Sequence, residues 1–343
     1  MKKKIVWVTL LALVVGTGVG CGTENTRNGS KADMITESSD SEIEKLSEEK
    51  QEDDTSLVDL DFGNVKHDAQ IDEAIIYDEN GVKITVLNLE YGNYDAKLNV
   101  RFENTSDKEI DISSETLGYS CNSINGYMID DGWCSVTLQP DETVEDDLKF
   151  SYNAMAIYGI KEIAYFEVGF SIHDDDFNYT YTGPIKICTD AFDSYKYDEN
   201  SYRNAIQNKL FKVNYGLELT KFDEETYFNE VNVSIDSIAS VKKEDESTTI
   251  LIETRNKNEQ PLFVSISEVE VNDICAYEYN WSVTQLNGNS MHVDTLDLES
   301  LVRMSDNETL QNDEISKVSF VVTVKNEAGN VVCEPTSITY ILE

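Results

Sequence analysis

The stretches LNVRFENTSDKEIDI (98–112) and ILIETRNKNEQPLFV (250–264) share one design, 152 residues apart. In each, apolar and polar residues alternate up to a polar turn centred on Asn104 or Asn256, and a second strand-like run follows. Alternation with a period of two is typical of a half-buried strand, and Asn, Asp and Ser favour turns. Both stretches therefore predict two strands joined by a hairpin or sheet-crossing turn.

Further pairs of segments recur in the same order along the chain, which indicates an internal repeat. The pairs are VKITVLNL (82–89) with VNVSIDSI (231–238) at an offset of 149, WCSVT (133–137) with WSVT (281–284), LKF (148–150) with LDL (296–298), and IAYFEVGFSI (163–172) with VSFVVTV (318–324). Each copy holds about seven short strands, a number and spacing that favour an antiparallel sandwich.

We therefore predict an all-β protein with two tandem sandwich domains. Domain 1 covers 70–192, domain 2 covers 210–343, and a linker with a short helix, 193–209, joins them. On this strand pattern the chain resembles the uncharacterised immunoglobulin-like domains found in lipoproteins of Gram-positive anaerobes. The resemblance implies immunoglobulin-like sandwiches. It does not extend to the disulfide of antibody domains, because Cys121 and Cys134 are only thirteen residues apart and Cys275 comes too late in its copy.

The first twenty residues have the layout of a secretory signal peptide. Lys2, Lys3 and Lys4 precede the apolar run 5–15, which as a helix would rise only ~16 Å and is too short for a stable membrane span. The following VVGTGVGCG (14–22) resembles a bacterial lipoprotein signal. This resemblance implies that Cys21 carries acyl chains such as palmitate and anchors the protein at the extracytoplasmic face of the cell membrane. An ordinary secreted protein is the alternative.

The segment 21–69 is predicted to be a lipidated cysteine followed by a disordered acidic tether. Residues 22–68 include fourteen Asp or Glu and five Lys or Arg. A segment this rich in charge has too few apolar side chains to offset the entropy cost of ordering. A transient helix over SEIEKLSEEK (41–50) is the competing interpretation. The whole chain has a formal net charge of −39, which disfavours nucleic acid as a partner.

The cysteines leave two interpretations open. Besides Cys21 the chain has Cys121, Cys134, Cys188, Cys275 and Cys333, and an exported protein forms disulfides readily. The pairs Cys121–Cys134 and Cys275–Cys333 are the candidate disulfides. Alternatively, all five are small buried apolar residues. Their spacing does not match a zinc site.

The sequence predicts no enzyme and no cofactor. His67, His173 and His292 lie in different regions, and no nucleophile-elbow, metalloprotease or phosphate-loop motif is present. In HDDDFN (173–178), Asp174, Asp175 and Asp176 are weak candidates for a Ca²⁺ site, but they lack the EF-hand spacing and are interpreted as a solvated turn.

Tyrosines follow that turn, and their exposed rings would stack on sugars or contact a protein. They are Tyr179, Tyr181, Tyr195, Tyr197 and Tyr202. Packing within a strand and at the domain junction is the simpler interpretation. The sequence thus favours a non-catalytic surface lipoprotein that binds or spaces an envelope or extracellular partner. The alternative is a ligand-binding lipoprotein that recognises a glycan or a divalent cation through the loops of domain 1.

Overall fold

The computed structural model describes residues 65–114, 122–176, 178–208, 216–243, 245, 247–305, 307, 310 and 314–342. Within them antiparallel strands predominate, which confirms the all-β class. The predicted signal peptide, Cys21 and nearly all of the tether lie outside the described residues. No helix among the described residues has the length and apolar character needed to cross a membrane.

The first half of the described chain contains twelve strands. They are β1 (Ala74–Glu79), β2 (Val82–Tyr91), β3 (Asp95–Asn104), β4 (Ile110–Ser114), β5 (Ser123–Ile124), β6 (Tyr127–Met128), β7 (Ser135–Leu138), β8 (Thr143–Ser151), β9 (Tyr165–Val168), β10 (Phe170–Asp174), β11 (Tyr179–Tyr181) and β12 (Ile185–Cys188). Eight of them form two four-stranded sheets, ordered β1-β2-β3-β8 and β11-β10-β4-β7.

The second half repeats this order. Its strands are β13 (Glu218–Asp223), β14 (Phe228–Glu230), β15 (Val233–Lys242), β16 (Thr248–Asn256), β17 (Leu262–Val271), β18 (Ile274–Leu286), β19 (Ser290–Asp297), β20 (Lys317–Lys325) and β21 (Thr336–Ile341). The order β13-β15-β16-β19 matches the first sheet of the first half, and β21-β20-β17-β18 matches the second. The β-sandwich architecture is confirmed, and the internal repeat is visible in its topology.

The two asparagines of the opening stretches make equivalent contacts. The Asn104 side-chain amide donates to the backbone carbonyls of Lys108, Leu138 and Gln139 at 2.7, 3.1 and 3.2 Å. The Asn256 amide donates to the carbonyls of Gln260, Leu286 and Asn287 at 2.9, 3.2 and 3.0 Å. Both side chains are buried, so each satisfies the backbone where the chain crosses between sheets.

One predicted strand boundary is wrong. VNVSIDSI was expected to start a strand at Val231, but Val231 and Asn232 form the two-residue turn between β14 and β15, with φ of 46° and 59°. The equivalent turn between β1 and β2 is Asn80–Gly81, with φ of 52° and 81°. The two turns are therefore 151 residues apart rather than 149. The spacing of apolar residues predicted the wrong start of the strand because Val231 occupies a turn position that favours Asn or Gly.

Four short strands of the first half extend the first sheet of the second half. The order of this sheet is β12-β9-β5-β6-β19-β16-β15-β13, with β14 also pairing with β15. The connection between the halves is a parallel pairing of Tyr127 in β6 with Met291 in β19. Both halves belong to one compact unit, Leu60–Glu343. Independent folding of each half stays a prediction.

Three short α-helices with described bounds accompany the sheets: α1 (Tyr152–Ile157), α2 (Ser201–Ile206) and α3 (Leu298–Met304). Helix α1 begins where β8 ends, and α3 begins where β19 ends. Helix α2 lies in the predicted linker, where it buries Tyr202, Ala205 and Ile206. The linker is thus packed along part of its length rather than free.

Each half has its own apolar core between its two sheets. Phe102, Phe150 and Phe170 belong to the first core, and Phe320 and Tyr340 belong to the second. The first core continues across the junction, because Ala239, Val241, Leu251, Met291 and Val293 of the second half belong to it. Apolar burial therefore stabilises the contact between the halves as well as each sandwich.

Candidate functional site

The aspartates of HDDDFN lie together at the turn between β10 and β11. Asp174, Asp175 and Asp176 can each place a carboxylate oxygen within 4.8 Å of the others. The Lys108 ammonium already binds two of them, at 2.7 Å from Asp174 and 2.9 Å from Asp176. Hydrogen bonds from Lys108 and Asn178 hold the pKa of Asp174 well below its usual range. Contacts with Lys108, from the segment between β3 and β4, and with Asn178 therefore hold the turn.

The histidines have different surroundings. His67 stacks on Tyr91 and Tyr152, with ring centroids 4.9 and 5.3 Å away. His173 packs on Tyr179, and its Nδ1 lies 3.7 Å from a carboxylate oxygen of Asp111. His292 is buried in β19.

The five tyrosines after the aspartates divide into two groups. Tyr179 and Tyr181 are exposed on β11, by 56% and 57%. Tyr195, Tyr197 and Tyr202 pack at the junction, as the simpler interpretation expected. The first group is the more exposed of the two and presents part of its ring surface to solvent.

The cysteines in the described residues carry free thiols: Cys134, Cys188, Cys275 and Cys333. Burial raises the pKa of Cys134 to about 11, so its thiol stays protonated and unreactive. Cys121 lies outside the described residues. Disulfide formation at Cys121–Cys134 or Cys275–Cys333 stays a prediction.

A cleft of about 750 Å³ opens between the two halves. One wall comes from α1 and the residues after β6, a second from the outer face of β15 and β16, and a third from β18 and β19. Its apolar lining includes Ile129, Ile157, Tyr158, Val241, Leu251 and Val293. Polar and charged side chains, His292 and Asp294 among them, also line it. A concavity that combines apolar surface with polar groups is the usual form of a ligand site.

The cleft follows the edge of β19 beyond its pairing with β6. Side chains from both halves bind backbone groups there. The backbone N–H of Val293 donates to the Tyr158 hydroxyl at 3.4 Å, and the Trp281 indole N–H donates to the carbonyl of Thr295 at 2.8 Å. These contacts occupy groups that an unprotected edge would offer to another strand. Trp133, the matched residue of the first half, is instead 68% exposed.

Two buried polar residues of β19 line the cleft, and their side chains are only 7% and 4% exposed. His292 Nε2 lies 3.6 Å from Asp294 Oδ1, too far for a good hydrogen bond. The Thr284 hydroxyl donates to the same oxygen at 3.2 Å. His292 Nδ1 has no hydrogen-bond partner among the described residues. The pair therefore has unused hydrogen-bonding capacity in an apolar setting.

A buried ionic cluster holds the linker against the second half. Glu253 is fully buried, and its carboxylate accepts from Arg203 at 2.9 Å, from Arg255 at 2.6 and 2.8 Å, and from Ser237 at 2.5 Å. Arg255 also donates to the carbonyl of Glu199. Burial opposes the charge of Arg255, but surrounding groups, Glu253 among them, keep its pKa above the ordinary value. This cluster fixes the segment from Glu199 to Arg203 beside the sheet that lines the cleft.

Sequence reasoning missed the cleft and the ionic cluster. Glu253 and Arg255 occupy alternate positions of a strand whose other face is apolar. Such a pattern normally indicates that the charged face is exposed to solvent, so it did not predict burial. Arg203 in the linker was a candidate partner. Nothing in the spacing showed that the three side chains would meet.

No protein-family model and no curated protein matches this chain. Among solved structures, the YadV chaperone is similar at 11% identity, with 71% of this chain and 92% of that chain covered and a TM-score of 0.19. A conserved domain protein from Bacillus anthracis is similar at 9% identity, with 82% and 94% covered and a TM-score of 0.19. At these TM-scores the likenesses carry no argument.

Proposed function

We propose that this chain is a non-catalytic surface lipoprotein, anchored through lipidated Cys21 at the extracytoplasmic face of the cell membrane. Its folded body consists of two tandem immunoglobulin-like domains that bind an extracellular or envelope partner. The junction cleft is the observation that carries the binding function, because it combines an apolar lining with unsatisfied buried polar groups.

The strand order supports the immunoglobulin-like assignment. In the first half β2-β3-β8 faces β7-β4-β10-β11, and in the second half β15-β16-β19 faces β18-β17-β20-β21. In chain order these are strands A-B-E facing C′-C-F-G, an arrangement of the immunoglobulin class. The strands β1 and β13 are additions beside strand A.

The polar contacts in the cleft support a non-catalytic role. Nucleophilic catalysis needs a hydroxyl or thiol that is hydrogen-bonded to its base. The Thr284 hydroxyl donates to Asp294 and not to His292. The buried thiol of Cys134 hydrogen-bonds with Ser114, and its raised pKa opposes nucleophilic attack. Binding is the activity that these groups fit best.

A second candidate is recognition of a glycan or divalent cation through the loops of domain 1. The exposure of Tyr179 and Tyr181 on β11 favours the glycan, since solvent-exposed aromatic rings stack on sugar rings. The bonds from Lys108 to Asp174 and Asp176 weigh against the cation. Binding of the full chain to a glycan array, lost in Tyr179→Ala and Tyr181→Ala but unchanged in Asp294→Asn, would favour this candidate over the cleft.

The anchor is tested by mass spectrometry of the full chain extracted from membranes. We expect an N-terminal peptide that begins at Cys21 and carries acyl chains. Cys21→Ala removes this species, whereas Cys188→Ala, which alters an exposed free thiol, leaves it unchanged. A mature chain that begins elsewhere, or an unmodified Cys21 in the membrane fraction, would contradict the proposal.

A further inference from the structure

We infer that the junction cleft binds an organic ammonium compound whose charged nitrogen pairs with Asp294 and whose apolar body lies along the walls of the cleft. This inference rests on the proposed binding function and names its ligand class.

Among the described residues, the Asp294 carboxylate pairs with no lysine or arginine. Its side chain is 4% exposed, and its contacts are the neutral hydroxyl of Thr284 and the imidazole of His292 at 3.6 Å. A buried carboxylate is costly unless a cation or several donors compensate its charge. The equally buried Glu253 receives two arginines. An ammonium group in the cleft would supply to Asp294 what Arg203 and Arg255 supply to Glu253.

His292 is the second, independent indication of a ligand. Its side chain is more than nine-tenths buried, it lines the cleft, and its Nδ1 makes no hydrogen bond with the described residues. Buried polar nitrogens normally have partners. A ligand that carries a second polar group beside its ammonium group would hydrogen-bond with Nδ1 while the ammonium contacts Asp294.

The walls suit an apolar ligand body with a positive end. The volume of about 750 Å³ is within the range of small-molecule sites, and Leu251 and Val293 provide apolar contact. Tyr158 and Trp281 add aromatic rings beside β19, and aromatic faces attract organic cations.

The rim favours a cation over an anion. The Lys243 ammonium is paired with Asp297 at 2.6 Å, so these two charges compensate each other. Asp130 is an additional exposed carboxylate on the lining. Burial raises the pKa of the Tyr158 hydroxyl, and the negative charges of Asp294 and Asp130 raise it further. The local potential is therefore negative where a ligand enters.

The test uses two probes that share a phenethyl body and differ in the charge of the terminal group, phenethylammonium and 3-phenylpropionate. The full chain is placed in phosphatidylcholine nanodiscs, and binding is measured by isothermal titration calorimetry against empty nanodiscs. We expect saturable binding of phenethylammonium and none of 3-phenylpropionate. Equal binding of the two probes, or binding of the anion alone, would overturn the inference.

Two variants test whether the Asp294 carboxylate binds the ammonium group. Asp294→Asn preserves side-chain volume and should weaken phenethylammonium binding at least about tenfold, the scale of a charge-assisted hydrogen bond. The matched control is Asp146→Asn, since Asp146 occupies the same position of β8, opposite Val100, as Asp294 does opposite Ile252. It lies outside the cleft and should leave binding unchanged. Unchanged affinity in Asp294→Asn would overturn the inference.

A second variant keeps the test decisive if Asp294→Asn does not fold. Asp130 is exposed, so Asp130→Asn should fold normally and weaken phenethylammonium binding roughly two- to fivefold. If Asp294→Asn does not fold and Asp130→Asn binds phenethylammonium with unchanged affinity, the inference is contradicted. If neither probe binds while Cys21 is acylated, the ligand class is wrong and the proposed lipoprotein stands. If Cys21 is unmodified, the proposed function fails.

Discussion

The outer faces of two equivalent sheets differ in exposure: one is partly exposed to solvent and the other is buried. In the first half, the side chains of Lys97, Asn99, Arg101 and Glu103 alternate with core residues along β3 and are partly exposed. In the second half, the equivalent positions of β16, at 249, 251, 253 and 255, are all buried. The linker with α2 and the residues around α1 cover this face. One strand pattern thus forms a solvated surface in one copy and a junction in the other.

The difference between the two faces gives this repeated sandwich its cleft. In the first half Arg101 pairs at the surface with Glu145 and Glu73, while the equivalent residue of the second half is the buried Glu253. The charged side chain is paired in both halves: Arg101 pairs with exposed glutamates, and Glu253 pairs with arginines. The junction exists where the linker supplies Arg203.

The largest effect should come from breaking the buried cluster. Glu253→Ala removes the buried carboxylate that Arg203 and Arg255 share, and we expect a loss of about 3–5 kcal/mol in the free energy of unfolding. Urea unfolding of the full chain in detergent measures it. The control is Arg101→Ala, which removes only exposed pairs and should change the midpoint little. Equal losses would mean that the two faces do not differ.

The next effect concerns a feature that the two halves share. Asn104→Ala and Asn256→Ala each deprive three backbone carbonyls of a donor, so each variant should lose about 1–3 kcal/mol. The same urea experiment compares them. A large loss in one variant and none in the other would show that the two crossings are not equivalent.

A turn offers a gain in stability. Val231 has a φ of 46°, a left-handed conformation that strains a β-branched residue, whereas the equivalent Asn80 tolerates its φ of 52°. Val231→Asn should therefore stabilise the chain by about 1 kcal/mol. Asn80→Val should destabilise it. Thermal unfolding of the two variants checks both signs, and a lower melting temperature in Val231→Asn would contradict the account.

The smallest effect is a difference in pH dependence between the N-terminal caps of helices α1 and α3. Ser151 caps α1 through Ala154, and Asp297 caps α3 through Ser300. Each substitution by Ala should cost about 1 kcal/mol at pH 7. Burial alone would raise the pKa of Asp297, but hydrogen bonds from Lys243 and Ser300 lower it below its ordinary value of 3.8.

A lowered folded-state pKa means that the stabilisation by Asp297 is present above pH 3.8 and is lost as the pH falls through the folded-state value. The cost of Asp297→Ala should therefore shrink on acidification. The cost of Ser151→Ala should not change with pH, since serine does not titrate. Urea unfolding from pH 7 to pH 2 distinguishes them, and parallel curves would contradict the assigned ion pair.

The sequence predicted the strands well because alternation and polar turns act locally. The repeat, the all-β class, the sandwich and both asparagine turns follow from residues that are close in the chain. The valine turn was missed because apolar spacing alone ignores backbone conformation, and Val231 does not carry the turn signal of Asn80–Gly81.

The cleft could not be predicted for a different reason. Local alternation states which side chains share a face of a strand, but not whether solvent or another segment covers that face. Glu253 and Leu251 occupy positions that are half-exposed in the first half. Their burial depends on contacts with Arg203 and with the first half, more than 45 residues away in sequence.

The central claim, that the junction covers one sheet face and leaves its equivalent open, is tested most directly by carboxylate labelling of the unmodified full chain. Carbodiimide-activated coupling of glycine ethyl ester, followed by peptide mass spectrometry, reports the exposure of each carboxylate. The Glu145 side chain is 59% exposed and that of Glu253 is 0% exposed. We expect rapid labelling of Glu145 and labelling of Glu253 only after unfolding. Equal rates for the two residues under native conditions would contradict the account.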